Sequence, residues 1–245
     1  MTGAVLYDHT VSICSQMARL ALAEKGISYR RHEVDIMHTS EQFEPWYVAL
    51  NPRAVVPTLA IGDEIVTDTI HIVNRIDQMP GPDLSGGPQT HAWLSEIMSL
   101  HYGVLLYSKR LEPDGTAPQI VARGKFLAQL AADRPDIAPL LEARIRGNER
   151  MQALLKDPQA IQQHIDAANE MIDRMADALG NTEYLSGSAF SLADCFATAA
   201  LARLTIHGFT PRWLDTPLED YYARMKTRAS FVNAQVIDTG SERDL

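Results

Sequence analysis

Cysteine is nearly absent from this chain, and long apolar runs are missing altogether. Only Cys14 and Cys195 occur in 245 residues, too few for the disulfide framework of a small secreted protein. No apolar run approaches the roughly 20 residues that a membrane-spanning helix needs. Neither a basic segment nor an apolar signal-peptide core follows Met1. These absences predict a soluble, cytoplasmic protein with no membrane partner.

Basic clusters and metal-ligand patterns are also missing. The 22 Lys and Arg residues are outnumbered by 31 Asp and Glu, which gives a formal net charge of -9. That balance disfavours nucleic acid as a partner. The histidines show no ligand spacing such as His-x3-His, so no metal is predicted. The hydrophobic content of 46% is enough for a sizeable core, in one large domain or two small ones.

The beginning of the chain combines a strand, a turn and a helix that carries two reactive side chains. Residues 4 to 7 are apolar and predict a buried strand, and helical periodicity follows as far as Gly26. Ser12 and Cys14 then lie at the helix N-terminus, where unpaired amides and the macrodipole favour a thiolate and predict a lowered cysteine pKa. The plainer alternative is a serine N-cap beside a small core cysteine.

Pro57 marks the start of a later strand. A second strand within residues 27–34 completes a predicted βαβ unit, and two apolar segments around Gly62 predict a hairpin. Because Pro57 cannot donate to a sheet, it belongs at a strand start, where a cis bond could turn the Val56 backbone toward an extended ligand. A trans proline on an edge strand is the alternative.

Asp68 and Thr69 precede the next apolar helix. Amides at that helix N-terminus favour a carboxylate, and the Thr69 hydroxyl could bind the ligand or simply cap the helix. A segment dense in proline and glycine follows, and it predicts a linker at 81–90. The pattern is helical from there on.

The helical periods predict a short helix from Ser40 to Leu50 and longer helices that include 91–111 and 135–155. Ser191-Leu192-Ala193-Asp194 predicts a capping box at the start of a buried helix, and Cys195 beside it is predicted to be a packed core thiol. The predicted fold is therefore an α/β domain over 1–80 and an all-α domain over 91–245.

Taken together, four motifs resemble the cytosolic glutathione transferase superfamily. They are Ser12-Ile13-Cys14-Ser15, Asn51-Pro52-Arg53-Ala54-Val55-Val56-Pro57, Asp68-Thr69 and Ser191-Leu192-Ala193-Asp194. Each is weak alone, but their order and spacing span nearly the whole chain. The first motif further resembles the zeta-like branch, which includes maleylacetoacetate isomerases. Several segments also resemble the tetrachlorohydroquinone reductive dehalogenases.

The resemblance implies a thioredoxin-like domain that binds glutathione as cosubstrate, a helical domain that covers a small-molecule electrophile, and a homodimer. Val56, beside a cis Pro57, would pair its backbone with the cysteinyl part of glutathione. The γ-glutamyl end would be held by Asp68 and Thr69. Arg53 would approach the glycyl carboxylate, or remain a solvated surface residue.

The resemblance also implies roles for the two reactive side chains. Ser12 would donate a hydrogen bond to the glutathione sulfur and favour its thiolate, and Cys14 would form a mixed disulfide with glutathione. The leading hypothesis is therefore a glutathione-dependent enzyme acting on a small electrophile such as a halogenated hydroquinone. The alternatives are cis-trans isomerisation of a maleyl-type diacid and a non-catalytic glutathione-binding module.

Overall fold

The structure, a computed structural model, describes residues 3–239, and these fall into two units. One unit comprises the chain as far as Met98 together with the chain from Ile172 onward, and the other comprises Ser99–Met171. The predicted ranges 1–80 and 91–245 describe a different division of the chain and stay a prediction. Within the described part, every helix is too short or too polar to cross a membrane.

The first unit contains a four-stranded mixed sheet. Its strands are β1 (Ala4–Asp8), β2 (Arg30–Glu33), β3 (Thr58–Ile61) and β4 (Glu64–Thr67). Their spatial order is β2-β1-β3-β4, with β1 parallel to β2 and the other two pairings antiparallel. The predicted βαβ unit and hairpin are thereby confirmed, although β2 is shorter than the predicted range.

Helices account for most of the remaining chain. In chain order they are α1 (Ile13–Glu24), α2 (Pro45–Leu50), α3 (Thr69–Asp77), α4 (Thr90–Ser99), α5 (Tyr102–Tyr107), α6 (Pro118–Asp133), α7 (Ala138–Leu155), α8 (Pro158–Leu179), α9 (Leu192–Ile206), α10 (Pro217–Thr227) and α11 (Ala229–Asn233). The predicted fold class, an α/β N-terminal part followed by a helical C-terminal part, is confirmed.

Helix α1 is the centre of the first unit's packing. It contacts α3, α9 and α11, and its residues from Ser15 to Leu22 are all buried. Helix α9 is buried along nearly its whole length, with Cys195 fully enclosed. Cys195 is therefore a packed core thiol, as predicted.

Three predicted helices are interrupted. The helix predicted from Ser40 to Leu50 breaks at Glu44, which is extended (ψ 146°) because Pro45 follows it. The helix predicted from His91 to Leu111 stops at Ser99 and resumes at Tyr102, a break that uninterrupted apolar periodicity conceals. The helix predicted from Pro135 begins only at Ala138, after a short 3-10 turn.

The second unit is helical and has its own apolar cluster. Val104, Ala117, Ile120 and Leu155 form the buried centre of this cluster. Helices α6 and α7 pack along each other, and the Asn148 amide of α7 donates to the Ile120 carbonyl of α6 at 2.9 Å. Apolar burial and one directed hydrogen bond thus hold this pair of helices together.

Asp194 lies in the first turn of helix α9 and is fully buried. Its carboxylate accepts hydrogen bonds from the Ser191 amide (2.8 Å) and hydroxyl (2.9 Å), the Leu185 amide (3.1 Å) and the Tyr221 hydroxyl (2.8 Å). Burial raises the pKa of this carboxyl, and the four donors oppose that rise. The predicted capping box is present, and the hydrogen bond from Tyr221 also connects α9 to α10.

Candidate active site at the start of helix α1

The register of the sheet brings three connecting segments to one edge. Tyr7, near the end of β1, pairs with Thr58 at the start of β3, and Thr58 pairs with Thr67 at the end of β4. The turn after β1, the segment before β3 and the segment after β4 therefore meet at that edge. These segments carry the predicted site residues, so the sheet itself assembles the candidate site.

Ser12 occupies the N-cap of α1. Its hydroxyl oxygen accepts a hydrogen bond from the Ser15 amide at 3.3 Å, and its own amide donates to the His9 carbonyl at 3.1 Å. Ser12 is therefore the N-cap of α1, as the plainer alternative predicts. Capping uses the hydroxyl oxygen as acceptor and leaves its proton to donate elsewhere, so the cap and the predicted role in catalysis are compatible.

Cys14, the second residue of α1, lies beside the start of α3. The Thr69 hydroxyl is placed to donate to the Cys14 sulfur, but burial raises the pKa of this thiol, and the charge of Asp68 reinforces the rise. The predicted lowering of the Cys14 pKa is therefore wrong for the protein by itself. Loss of solvation of the thiolate outweighs what the helix N-terminus and Thr69 supply.

The Val56 backbone is left open by its neighbours. The Val56-Pro57 peptide bond is cis, as the family resemblance implies, and not the trans alternative. The preceding carbonyl, that of Val55, accepts from the Tyr47 hydroxyl at 2.7 Å and the Asn51 amide at 2.9 Å. Within residues 3–239, neither the N–H nor the C=O of Val56 has a hydrogen-bond partner. A half-buried peptide group in that state favours pairing with an extended ligand.

Asp68, and not Thr69, is the cap of α3. The Asp68 carboxylate accepts from the Ile70 amide at 3.1 Å and pairs with the exposed Arg53 guanidinium at 3.3 Å. The Asp68 backbone has a φ of 76°, a conformation uncommon for residues other than glycine and typical of functional sites. The structure therefore brings Arg53, Asp68 and Thr69 together, and it frees the Thr69 hydroxyl from the capping role.

A buried ion-pair network that the sequence analysis did not predict supports the turn after β1. Arg19 pairs with Asp8, and both side chains are almost completely buried. The Arg19 guanidinium also donates to the Thr10 carbonyl at 3.1 Å and to the Ala234 carbonyl at 2.6 Å. Arg31 pairs with Asp8 at 2.7 Å. In the sequence, the signal for this network was Arg19 itself, an arginine within the apolar pattern of α1. Its partners could not be inferred from the spacing of residues along the chain.

Arg203 of α9 makes a second contact to the turn after β1 that was not predicted from the sequence. Its guanidinium donates to the Val11 carbonyl, directly before Ser12. The positive charge of Arg203 also lowers the Cys14 pKa, against the larger effect of burial. No group of three or more His, Cys, Asp or Glu side chains that could hold a metal ion occurs in the described part of the chain.

Comparison with known families and proteins matches both halves of the chain. Residues 11–79 match the glutathione S-transferase N-terminal domain, and residues 158–224 match the glutathione S-transferase C-terminal domain. The chain is 31% identical over 242 residues to the tetrachloro-p-hydroquinone reductive dehalogenase of Sphingobium chlorophenolicum, covering 97% of each chain. It is 29% identical to the Arabidopsis thaliana glutathione S-transferase TCHQD, covering 92% of this chain and 87% of the relative.

Solved structures show the same fold. A β-etherase from Sphingobium sp. strain SYK-6 superposes with a TM-score of 0.69 at 19% identity, covering 96% of this chain and 98% of that one. A glutathione S-transferase-I bound with lactoylglutathione superposes with a TM-score of 0.66 at 15% identity, covering 95% and 98%. The resemblance inferred from the four motifs is confirmed. The chain belongs to the glutathione S-transferase family and is an enzyme of the glutathione transferase type.

Proposed function

We propose that this enzyme ionises glutathione beside Ser12 and directs the thiolate at a small halogenated aromatic or hydroquinone, which it dehalogenates reductively. The observation that carries the proposal is the placement of a hydroxyl and a thiol in one helical turn, with Thr69 hydrogen-bonded to the thiol. A transferase that only conjugates needs the hydroxyl alone. A thiol in the same turn supplies the nucleophile for a reductive second step.

The glutathione subsite follows from the groups at the sheet edge. The open N–H and C=O of Val56, presented beside Pro57, suit the extended cysteinyl backbone of the tripeptide. The partly exposed Asp68 carboxylate suits the γ-glutamyl ammonium, and the buried start of α3 at Thr69 suits its carboxylate. Arg53, already paired with Asp68, is the cation available to a terminal carboxylate.

The first step is displacement of halide by the glutathione thiolate. The Ser12 hydroxyl donates to the glutathione sulfur and stabilises its charged form, which lowers the pKa of that thiol toward neutrality. The thiolate forms a carbon–sulfur bond with the quinoid tautomer of the substrate, and halide leaves with the carbon–halogen electron pair. The product is a glutathionyl thioether of the ring.

The second step reduces the ring carbon. The Cys14 thiolate attacks the thioether sulfur, so that a sulfur–sulfur bond forms and the carbon–sulfur bond breaks. The released electron pair stays on the ring carbon, which takes up a proton, while the two sulfurs are oxidised to a mixed disulfide. The thiolate of a second glutathione then attacks the glutathione sulfur of that disulfide, which gives glutathione disulfide and releases the Cys14 thiolate.

Relatives support the reductive reaction over isomerisation. The relative that matches over 97% of both chains is a reductive dehalogenase. A probable maleylacetoacetate isomerase of Caenorhabditis elegans matches only 74 residues, 30% of this chain. Isomerisation of a maleyl diacid also gives Cys14 no role, because the addition of glutathione, the bond rotation and the departure of glutathione involve no disulfide. The homodimer and the cytoplasmic location stay predictions.

The wild-type enzyme provides the test of this function. We expect glutathione to raise its melting temperature. With a halogenated hydroquinone and limiting glutathione, we expect halide release and a glutathione adduct on the Cys14 peptide in mass spectra. Rapid isomerisation of a maleyl diacid, with no halide release and no adduct, would instead support the isomerase. An unchanged melting temperature at saturating glutathione would contradict the binding site itself.

Asp68→Asn separates ligand binding from helix capping. Asparagine caps helices as well as aspartate and tolerates a positive φ, so the fold should be retained. The change removes the charge that faces the γ-glutamyl ammonium, and we expect the KM for glutathione to rise about tenfold with little change in kcat. Asp63→Asn, which removes the same charge from the exposed hairpin turn, is the matched control. Equal KM values in the two variants would refute the role of Asp68.

A further inference from the structure

Arg203 links the buried helix α9 to the turn that carries both reactive side chains. Arg203 is half-buried, whereas its neighbours Ala202 and Leu204 on the same helix are fully enclosed. Its guanidinium donates to the carbonyl of Val11, the residue directly before the N-cap Ser12. Because α9 packs on α1, Arg203 belongs to a helix of the core and not to a surface loop.

The groups around the Cys14 sulfur come from three elements. Its own helix supplies the Cys14 amide, the start of α3 supplies the Thr69 hydroxyl and the Asp68 carboxylate, and α9 supplies Arg203. Asp68 and Arg203 act on the sulfur with opposite sign. Asp68 already pairs with Arg53 at 3.3 Å, and under the proposed function the γ-glutamyl ammonium is added to this pair when glutathione binds. The negative charge of Asp68 then opposes the positive charge of Arg203 less strongly at the sulfur.

We propose that Arg203 is a positioning residue for the two disulfide steps, since it fixes the turn through Val11 and supplies the positive charge that stabilises Cys14 as a thiolate. The assignment rests on the proposed function, because only a reaction with a Cys14 disulfide uses that thiolate. The thiolate is the attacking group when the mixed disulfide forms and the leaving group when the second glutathione resolves it. A stabilised thiolate is more abundant in the first of these steps and departs faster in the second.

Alkylation of Cys14 by iodoacetamide tests this assignment without glutathione or substrate. The rate is measured on the Cys14 peptide by mass spectrometry at pH 7 and at a high-pH plateau, and the ratio of the two rates reports the thiolate fraction. We expect this ratio to fall roughly three- to tenfold in Arg203→Met at low salt. Arg203→Lys should restore most of it. Asp68→Asn should raise it, because a negative charge beside the sulfur is removed.

The opposite signs of the substitutions at Arg203 and Asp68 distinguish charge from structure. A loosened turn would change the plateau rate and leave the ratio unaltered, and Arg203→Lys would give no rescue if only the geometry of the Val11 contact mattered. Arg212→Met removes an exposed arginine that pairs with Asp173 and should leave the ratio at the wild-type value. An unchanged ratio in Arg203→Met would overturn the assignment.

Turnover separates this inference from the proposed function. With a halogenated hydroquinone, Arg203→Met should accumulate the glutathionyl thioether and the mixed disulfide at the expense of reduced product. If wild-type enzyme dehalogenates through a Cys14 adduct and Arg203→Met does so equally fast, the proposed function stands and the role of Arg203 is refuted. If the wild-type enzyme forms no Cys14 adduct, the proposed function fails, and the role of Arg203 in the disulfide steps fails with it.

Discussion

Replacing Cys14 by serine is expected to abolish net reduction of a halogenated hydroquinone and to leave its glutathionyl thioether as the end product. Halide release should continue, because the first displacement depends on Ser12 and the bound glutathione. The second step should stop, because a serine hydroxyl cannot form a disulfide with the thioether sulfur. Chromatography of the products, with halide measured in parallel, distinguishes the two steps.

Ser12→Ala is the matched comparison within the same turn. It should slow both halide release and product formation, by about 10²- to 10⁴-fold, because glutathione would no longer be ionised at neutral pH. Ser12→Ala also removes the cap on α1, at a cost of about 1 kcal/mol. Thermal unfolding of both variants therefore accompanies the assay. Full reductive activity in Cys14→Ser would eliminate the mixed disulfide from the mechanism.

Local sequence patterns predicted the elements that carry the site, but not how they come together. The βαβ unit, the hairpin around Gly62 and the strand start at Pro57 were each inferred from the sequence, whereas the antiparallel pairing of β1 with β3 was not. Ser12 and Asp68 were also recognisable as helix-start residues from their positions before apolar periods. These features depend on interactions within about ten residues of the chain or on a simple antiparallel register, which is why they could be inferred without coordinates.

The electrostatics of the site could not be predicted in the same way. The pKa of Cys14 depends on burial and on Thr69, Asp68 and Arg203, which lie far from it in sequence. The helix N-terminus was visible in the sequence, but the loss of solvent around the sulfur was not, so the predicted direction was wrong. The ion pair of Asp8 with Arg19 was overlooked because each charge looked like an isolated exception in an apolar pattern.

Breaks between helices that the sequence pattern does not show account for most of the remaining differences between the predicted and the observed helices. Apolar periodicity continues through the gap between α4 and α5, because both segments keep an apolar face. The break at Glu44 did have a signal in the sequence, namely Pro45, since the residue before a proline disfavours helical dihedral angles. The short helix α11 was missed because five residues are too few to show a period.

Arg19→Met is expected to produce the largest loss of stability, about 3 to 5 kcal/mol in the free energy of unfolding. The side chain is 1% exposed and its partner Asp8 is 0% exposed. Methionine fills most of the volume but leaves the Asp8 carboxylate with Arg31 as its remaining ion-pair partner. The Ala234 carbonyl also loses its donor, and the Thr10 carbonyl loses the shorter of two hydrogen bonds and keeps the one from the Gln16 side chain at 3.5 Å. Urea unfolding followed by circular dichroism measures the change.

Two further variants show whether burial of charge is the cause. Arg75→Met removes an arginine from a partly exposed pair with Glu64 and should cost no more than about 1 kcal/mol. Adding Asp8→Leu to Arg19→Met should recover part of the lost stability, because the buried carboxylate, which has lost one of its two arginine partners, is then gone. If Arg19→Met were no more destabilising than Arg75→Met, the buried pair would not be what supports the turn. The glutathione affinity of Arg19→Met can be measured at a temperature where the variant is folded. If the affinity is also lowered, stability and glutathione binding depend on the same contact of Arg19 with Thr10, two residues before Ser12.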